Sequence, residues 1–226
     1  MHIVINHLTR MQKGFMCTAG IDPETLRHVR PMLSGMMKTD MLAVHGGPFE
    51  LARVVDLGET RFVGRVPEIE DRHFEAEAAR VVDEVAEGEF WELMTGVAED
   101  SLDSIFGPEL KPMGRDTCGI PENHGLRSLG CYWAKGAALL LLDEENRPRI
   151  RFSFSEGERK YQVPVTDIRL YGADHVTPDA GAVARFHAAI AGNPRTLVSI
   201  GLSRAYQPRD HEAPVHWLQV NNIHVR

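Results

Sequence analysis

The chain has 226 residues, 43% of them hydrophobic, and a formal charge of −7. This is enough apolar material for a folded core, while the longest apolar run, Ala137 to Leu142, is strand-sized and far short of the ~20 residues a membrane helix needs. The three cysteines, Cys17, Cys118 and Cys131, show no CxxC spacing and suit a reducing compartment; with no basic leader after Met1, the expectation is a cytoplasmic protein without a membrane partner.

Taken in chain order, His2 to Asn6 and Phe15 to Ile21 read as strands punctuated by Gly14 and Gly20. A short strand over Arg27 to Arg30 should stop at Pro31, which lacks a ladder donor, or become an edge there. Phe49 to Leu57 and Arg61 to Val66 read as a hairpin around Gly58-Glu59. From Phe74 to Met94 apolar residues recur at helical spacing with acids between them, predicting one helix or two broken near Gly88. Asp100-Ser101 should cap a short turn that ends at Gly107-Pro108.

Ser128 to Leu142 reads as a long strand with bends at Gly130 and Gly136, followed by a turn over Asp143 to Arg147. Ile150, Phe152 and Phe154 alternate with Arg149, Arg151 and Ser153, the period of a strand with one buried face. Lys160 to Val165 follows, then a helix over 178–191, then strands over Thr196 to Ser203 and Val215 to Val225. The order of three strands, a helix and two strands matches the OB-fold, although SH3-like and other small barrels share it. The expected architecture is mainly β with inserted helices, forming two OB-like small barrels. Residues 1–67 form the first, 68–127 an acidic helical insertion or linker that could complete it, and 128–226 the second.

Charge is distributed unevenly. Residues 1–31 carry a net +2, 32–146 a net −13 and 147–226 a net +4, and thirteen acids face two arginines between Glu68 and Asp103. Both ends are therefore basic despite the global sign. Arginine's planar fork matches phosphate, so Arg10, Lys13 and Arg30 are candidates for a phosphate cradle, against the plainer reading of surface cations paired with Asp22 and Glu24. Ser203, Arg204 and Tyr206 join a hydroxyl, a cation and an aromatic at one strand end; Tyr206, with Tyr132 or Trp133, is a candidate to stack a base. Thr166 and Asp167 lie at a strand exit, where Asp167 can fix a turn or orient Arg169 or Arg204.

Two kinds of chemistry find little support. Cys118, His124 and Cys131 (C-x5-H-x6-C) lack the pair spacing of structural zinc, and the C-terminal His211, His216 and His224 are too dispersed for one ion, so no metal or other cofactor is expected. Cys17 with His7 and Asn6 is the one nucleophile pairing with appeal, but a mid-strand cysteine is more often a small buried hydrophobe. No GxSxG, HExxH, Walker A or GxGxxG element is present.

The run containing Asn6, Arg10, Gly14, Cys17, Ala19-Gly20 and Val29-Arg30-Pro31 resembles the opening of the dual OB-containing domain family. Tyr161 to Asp167 (YQVPVTD), Gly201-Leu202-Ser203-Arg204 and Trp217-Leu218-Gln219 resemble its C-terminal signatures. The resemblance implies two OB-like barrels and a role in binding nucleic acids or nucleotides, in bacterial conflict or defence settings. The leading expectation is a non-catalytic module binding nucleic acid or a nucleotide-like ligand through Asn6, His7, Arg10, Lys13, Arg30, Thr166, Asp167, Ser203, Arg204 and Tyr206. The alternatives are an adaptor that engages a protein partner through the acidic residues 68–103, and a nucleotide-processing enzyme.

Overall fold

The computed structural model describes residues 1–113, 117–144, 147–207 and 212–226. His211 and the centre of the expected 143–147 turn lie outside the described residues. The first half supplies β1 (His2–Arg10), β2 (Met16–Ile21), β3 (His28–Met32), β4 (Arg53–Asp56), β5 (Arg61–Phe62), β6 (Asp71–His73) and β7 (Arg80–Glu84), then helix α1 (Glu87–Gly96). After β8 (Ala98–Glu99) and α2 (Leu102–Phe106), the second half supplies β9 (Lys111–Pro112), β10 (Cys118–Pro121), β11 (Leu129–Glu144), β12 (Arg147–Glu156), β13 (Arg159–Pro164), α3 (Ala180–Ile190), β14 (Arg195–Leu202) and β15 (Val215–His224).

The strands form two curled sheets, one ordered β5-β6-β3-β2-β1-β4-β7, the other β13-β12-β11-β14-β15-β10-β9 with β8 added beside β11. Each encloses its own apolar core, built around Ile3, Ile5, Phe49, Val55 and Phe74 in the first and Tyr132, Phe152, Phe154, Val163, Ile200 and Val220 in the second. The expected mainly β architecture of two OB-like barrels is the one observed.

Three local expectations are corrected. The proposed hairpin does not form: β4 has both edges occupied, by β1 and β7, while β5 pairs with β6 at the far end of the sheet. Residues read as the start of a helix form β7 instead, in register with β4 from Arg53 opposite Glu84 to Asp56 opposite Arg80. The β-branched pair Val81-Val82 suits a strand, and Arg80 adds a 2.7 Å bond to Asp56, so tertiary pairing overrides the 3.6-residue spacing and helix begins only at Glu87. Finally, β3 continues through Pro31. The Arg30 N–H donates to the Glu70 carbonyl and the Phe74 N–H to the Met32 carbonyl, both toward β6. The missing Pro31 donor therefore faces the side where pairing with β2 has already ended at Val29.

Other signals are met. Ser101 caps α2 by accepting the Asp103 N–H, α3 falls inside the expected 178–191 span, and Gly136, at a φ of 58°, sits in the irregular register between Lys135 and Ala138. The cap of α3, Asp179, which accepts the Ala182 N–H, is a finding of the structure. Gly20 in β2 answers to a different constraint, since a Cβ there would lie 2.7 Å from the Val4 carbonyl oxygen and 2.9 Å from the Ile3 side chain. Gly20→Ala is accordingly expected to cost about 1–3 kcal/mol in urea unfolding through overpacking.

The barrels are joined largely by polar contacts. Asn222 lies against the β1 backbone, accepting from the Leu8 N–H at 2.7 Å and donating to the Leu8 carbonyl at 3.2 Å. The buried Glu70 carboxylate accepts from the N–H groups of Ser128 and Leu129 at 2.8 and 3.0 Å and from the Ser128 hydroxyl at 3.0 Å. A small apolar cluster also crosses the junction: Ile21 of the first sheet, Met94 of α1, and Cys131 and Leu197 of the second sheet.

Candidate functional site

Between the two sheets lies a cavity of about 370 Å³, within the range of small-ligand sites. Strands β1, β2 and β3 and the segment after β3 form one wall; Leu129, Thr166, Leu202, Ser203, Arg204, Gln219 and Asn221 form the other. Much of the lining is soft and apolar, with Met11, Met16, Met32, Met36 and Met37 on the first wall. Thioether side chains adapt to ring-shaped partners and make favourable contacts with aromatic rings.

Six of the ten ligand-binding candidates line this one cavity, His7, Arg10, Arg30, Thr166, Ser203 and Arg204, as does the candidate nucleophile Cys17. Arg30 is 4% exposed, and its Nε donates to Asp71 Oδ1 at 2.6 Å. Arg204, coming from the other barrel just after β14, donates to the second oxygen of the same carboxylate at 2.6 Å and to Glu68 at 2.8 Å. Burial works against the Arg204 charge, but Asp71 and Glu68 outweigh it and raise its pKa above the usual value. Asp71 thus clamps one arginine from each barrel. Arg10 is held otherwise, its guanidinium 4.5 Å above the Tyr171 ring and its backbone N–H on the Thr166 carbonyl. It forms no ion pair among the described residues.

His7 is fully enclosed, and burial, followed by the nearby His28, His224 and Arg30, holds its pKa well below the usual 6.5. The imidazole is neutral at pH 7, so one ring nitrogen donates and the other accepts. Its Nδ1 lies 3.0 Å from the Asn221 amide nitrogen, while the Asn221 oxygen accepts from Gln219 at 2.9 Å and from the Thr166 hydroxyl at 3.3 Å. With the Asn221 oxygen so occupied, its nitrogen must donate to His7 Nδ1, and the His7 proton resides on Nε2.

Three nitrogens of cavity-lining side chains, His7 Nε2, Arg10 Nε and Arg30 Nη2, are buried with no hydrogen-bond partner among the described residues. All three are donors. An unpaired buried donor costs roughly 1–3 kcal/mol, and all three belong to side chains that line this one cavity.

The remaining sequence candidates lie elsewhere. Asn6 is buried behind the cavity, its amide on His28 at 3.1 Å and Cys131 at 3.4 Å. Lys13 is exposed on the turn between β1 and β2. Asp167 is wholly buried, binding Arg169 through both carboxylate oxygens at 2.9 and 2.7 Å and accepting the Ile223 N–H at 3.0 Å; of its two sequence candidates it orients Arg169. Tyr206 is 55% exposed and outside the cavity lining, its ring 6.2 Å from that of Trp217. Tyr132 packs on Phe154 inside the second core, leaving no face for a base, and Trp133 packs against Trp91 and Arg195. Cys118 and Cys131 belong to strands β10 and β11, and His124 is exposed with Nδ1 on the Glu122 carbonyl.

Sequence reading missed the carboxylates that hold the arginines, since Glu68 and Asp71 lie in the acidic stretch 68–103, read as an insertion or a partner-binding surface. It also missed the methionine wall, for which a signal existed: seven of the nine methionines fall within the first 41 residues. Gln219 carried a signal only through the family-like Trp217-Leu218-Gln219, and Asn221 had none, being an unremarkable polar residue of a strand.

A pair of fused small barrels with a ligand-sized cavity at their junction defines the class. The chain belongs to the dual OB-containing domain family, which it matches over residues 1–223. No curated protein matches it.

Proposed function

We propose that the protein is a non-catalytic recognition module that binds a nucleotide, or one nucleotide of a nucleic-acid strand, in the cavity between its barrels. The observation that carries this reading is that His7, Arg10 and Arg30, each with an unpaired buried donor, line one methionine-walled space of about 370 Å³. Phosphate supplies acceptors and negative charge to the arginines, and a base supplies a flat apolar body to the thioethers. Family membership supports the same direction, since OB-folds serve widely as oligonucleotide binders. The bacterial defence setting implied by the family resemblance belongs to this proposal as its biological context.

The two alternatives receive less support. Burial raises the Cys17 thiol pKa, so at neutral pH it is a protonated group in the cavity wall rather than a ready nucleophile. The adaptor reading loses Glu68, Glu70 and Asp71, which are buried and bonded within the protein.

Calorimetric titration with nucleoside monophosphates and with short single-stranded DNA and RNA, at a series of salt concentrations, tests the proposal. Binding should weaken steadily as salt rises, and absence of binding to every one of these ligands at low salt would refute it. Arg10→Ala should leave the fold intact, weaken binding roughly tenfold or more, and lower the salt slope by about one phosphate contact.

A further inference from the structure

The cavity residues differ in depth and in how much of their charge is already compensated, and together these features orient a ligand. His7 and Arg30 are the deeper pair, at 1% and 4% exposure. Arg30 is neutralised by Asp71, so its free Nη2 is a hydrogen-bond donor with little net charge to offer. Arg10 is less buried and has no carboxylate partner among the described residues, so its charge is unspent. The deep end therefore suits a neutral acceptor edge, and the Arg10 end suits an anion.

Resting on the nucleotide-binding reading above, we propose that the deep end selects a purine whose exposed edge carries two adjacent acceptors, as the N7 and O6 of guanine do, with the 5′-phosphate at Arg10. His7 Nε2–H and an Arg30 Nη2 N–H supply two donors and no acceptor. Adenine would set its N6 amino donor beside N7, bringing a donor against a donor; on the corresponding major-groove edge cytosine presents only an amino group, and uracil or thymine a single carbonyl. Asn221 is the positioning residue, because its amide nitrogen on Nδ1 keeps the His7 proton on Nε2. Rejection follows from unpaired buried donors, a stronger discriminator than shape.

The test uses the wild-type protein and free mononucleotides. GMP and IMP, which share N7 and O6, should bind within about threefold of one another, and AMP and 7-deaza-GMP at least about tenfold more weakly. Guanosine should bind more weakly than GMP, and this advantage of the phosphate should disappear in Arg10→Ala, whose folding is checked by thermal melting. AMP or 7-deaza-GMP binding as tightly as GMP would overturn the edge assignment while leaving the nucleotide site standing. A phosphate advantage that persists in Arg10→Ala would overturn the placement of the phosphate. Failure of every nucleotide and oligonucleotide to bind would remove the underlying reading as well.

Discussion

Between pH 6.5 and pH 5 the protein should lose stability steeply, with a slope set by histidines that cannot accept protons while folded. His28 and His224 are held down to about 3, chiefly by burial, and His7 lies well below its usual value for the same reason. In the unfolded chain each titrates near 6.5. Below that pH the unfolded state binds more protons than the folded state, so stability falls as pH falls, and the loss continues until the folded pKa is reached. Each histidine contributes up to roughly 1.4 kcal/mol per pH unit in this window, and three together approach roughly 4 kcal/mol per unit. Typical total stabilities are about 5–15 kcal/mol, and for a value in the lower half of that range unfolding is expected near pH 4 to 5. Glu70, raised by burial, acts in the opposite sense just above its unfolded value of 4.5, because the folded state there takes up the extra proton. The histidine share of the slope between pH 6.5 and 5 is therefore read from the difference between the wild type and a histidine variant. Urea unfolding across that range measures the slope, and His224→Gln should reduce it by about 1.4 kcal/mol per pH unit. A variant that loses stability without changing slope would show that His224 does not titrate on unfolding.

Asp71→Asn should be the most damaging single change among the cavity's supporting residues. This carboxylate is 5% exposed and accepts from Arg30 at 2.6 Å through one oxygen and from Arg204 at 2.6 Å through the other. Asparagine keeps the shape but removes the charge and turns one acceptor into a donor facing a guanidinium. Removing one member of a buried ion pair typically costs about 3–5 kcal/mol because the other charge is left uncompensated. Glu68→Gln should cost less, since Arg204 keeps Asp71 and lies partly in solvent, with 44% of its side chain exposed. Equilibrium unfolding of the two variants measures the difference, and equal losses would show that the bridging role assigned to Asp71 is wrong. In binding assays Asp71→Asn should also weaken ligand more than Glu68→Gln, since Arg30 is oriented by Asp71 and lines the cavity.

The parts of the fold legible in sequence were those where local pattern and tertiary environment agree. The alternating Ile150, Phe152 and Phe154 are buried in β12, and helix α3 lies within the 178–191 span read from the sequence. Legibility failed where pairing was decided by distant strands: β7 has helical spacing but is recruited by the free edge of β4, and β5 is drawn away from its apparent hairpin partner to β6. The candidate site divides the same way. Arg10, Arg30 and Arg204 are visible as cations at strand ends, and the structure brings all three to one cavity although 174 residues separate the last from Arg30. Their acidic partners were hidden because a carboxylate buried against an arginine looks, in one dimension, like any other member of a charged run.

The polar seam between the barrels carries a consequence for how the molecule melts. Glu70 from the first sheet is satisfied by backbone of the second, Asn222 from the second satisfies backbone of the first, and Ile21, Met94, Cys131 and Leu197 share one patch. Opening the junction would strand buried polar groups on both sides at once, at a cost comparable to a large share of a domain's total stability. The two halves are then a single cooperative unit: heat or denaturant should give one transition with coincident spectroscopic probes. Amides flanking the seam should exchange with solvent only through global unfolding. Two barrels in one chain should therefore not behave as two thermodynamic domains.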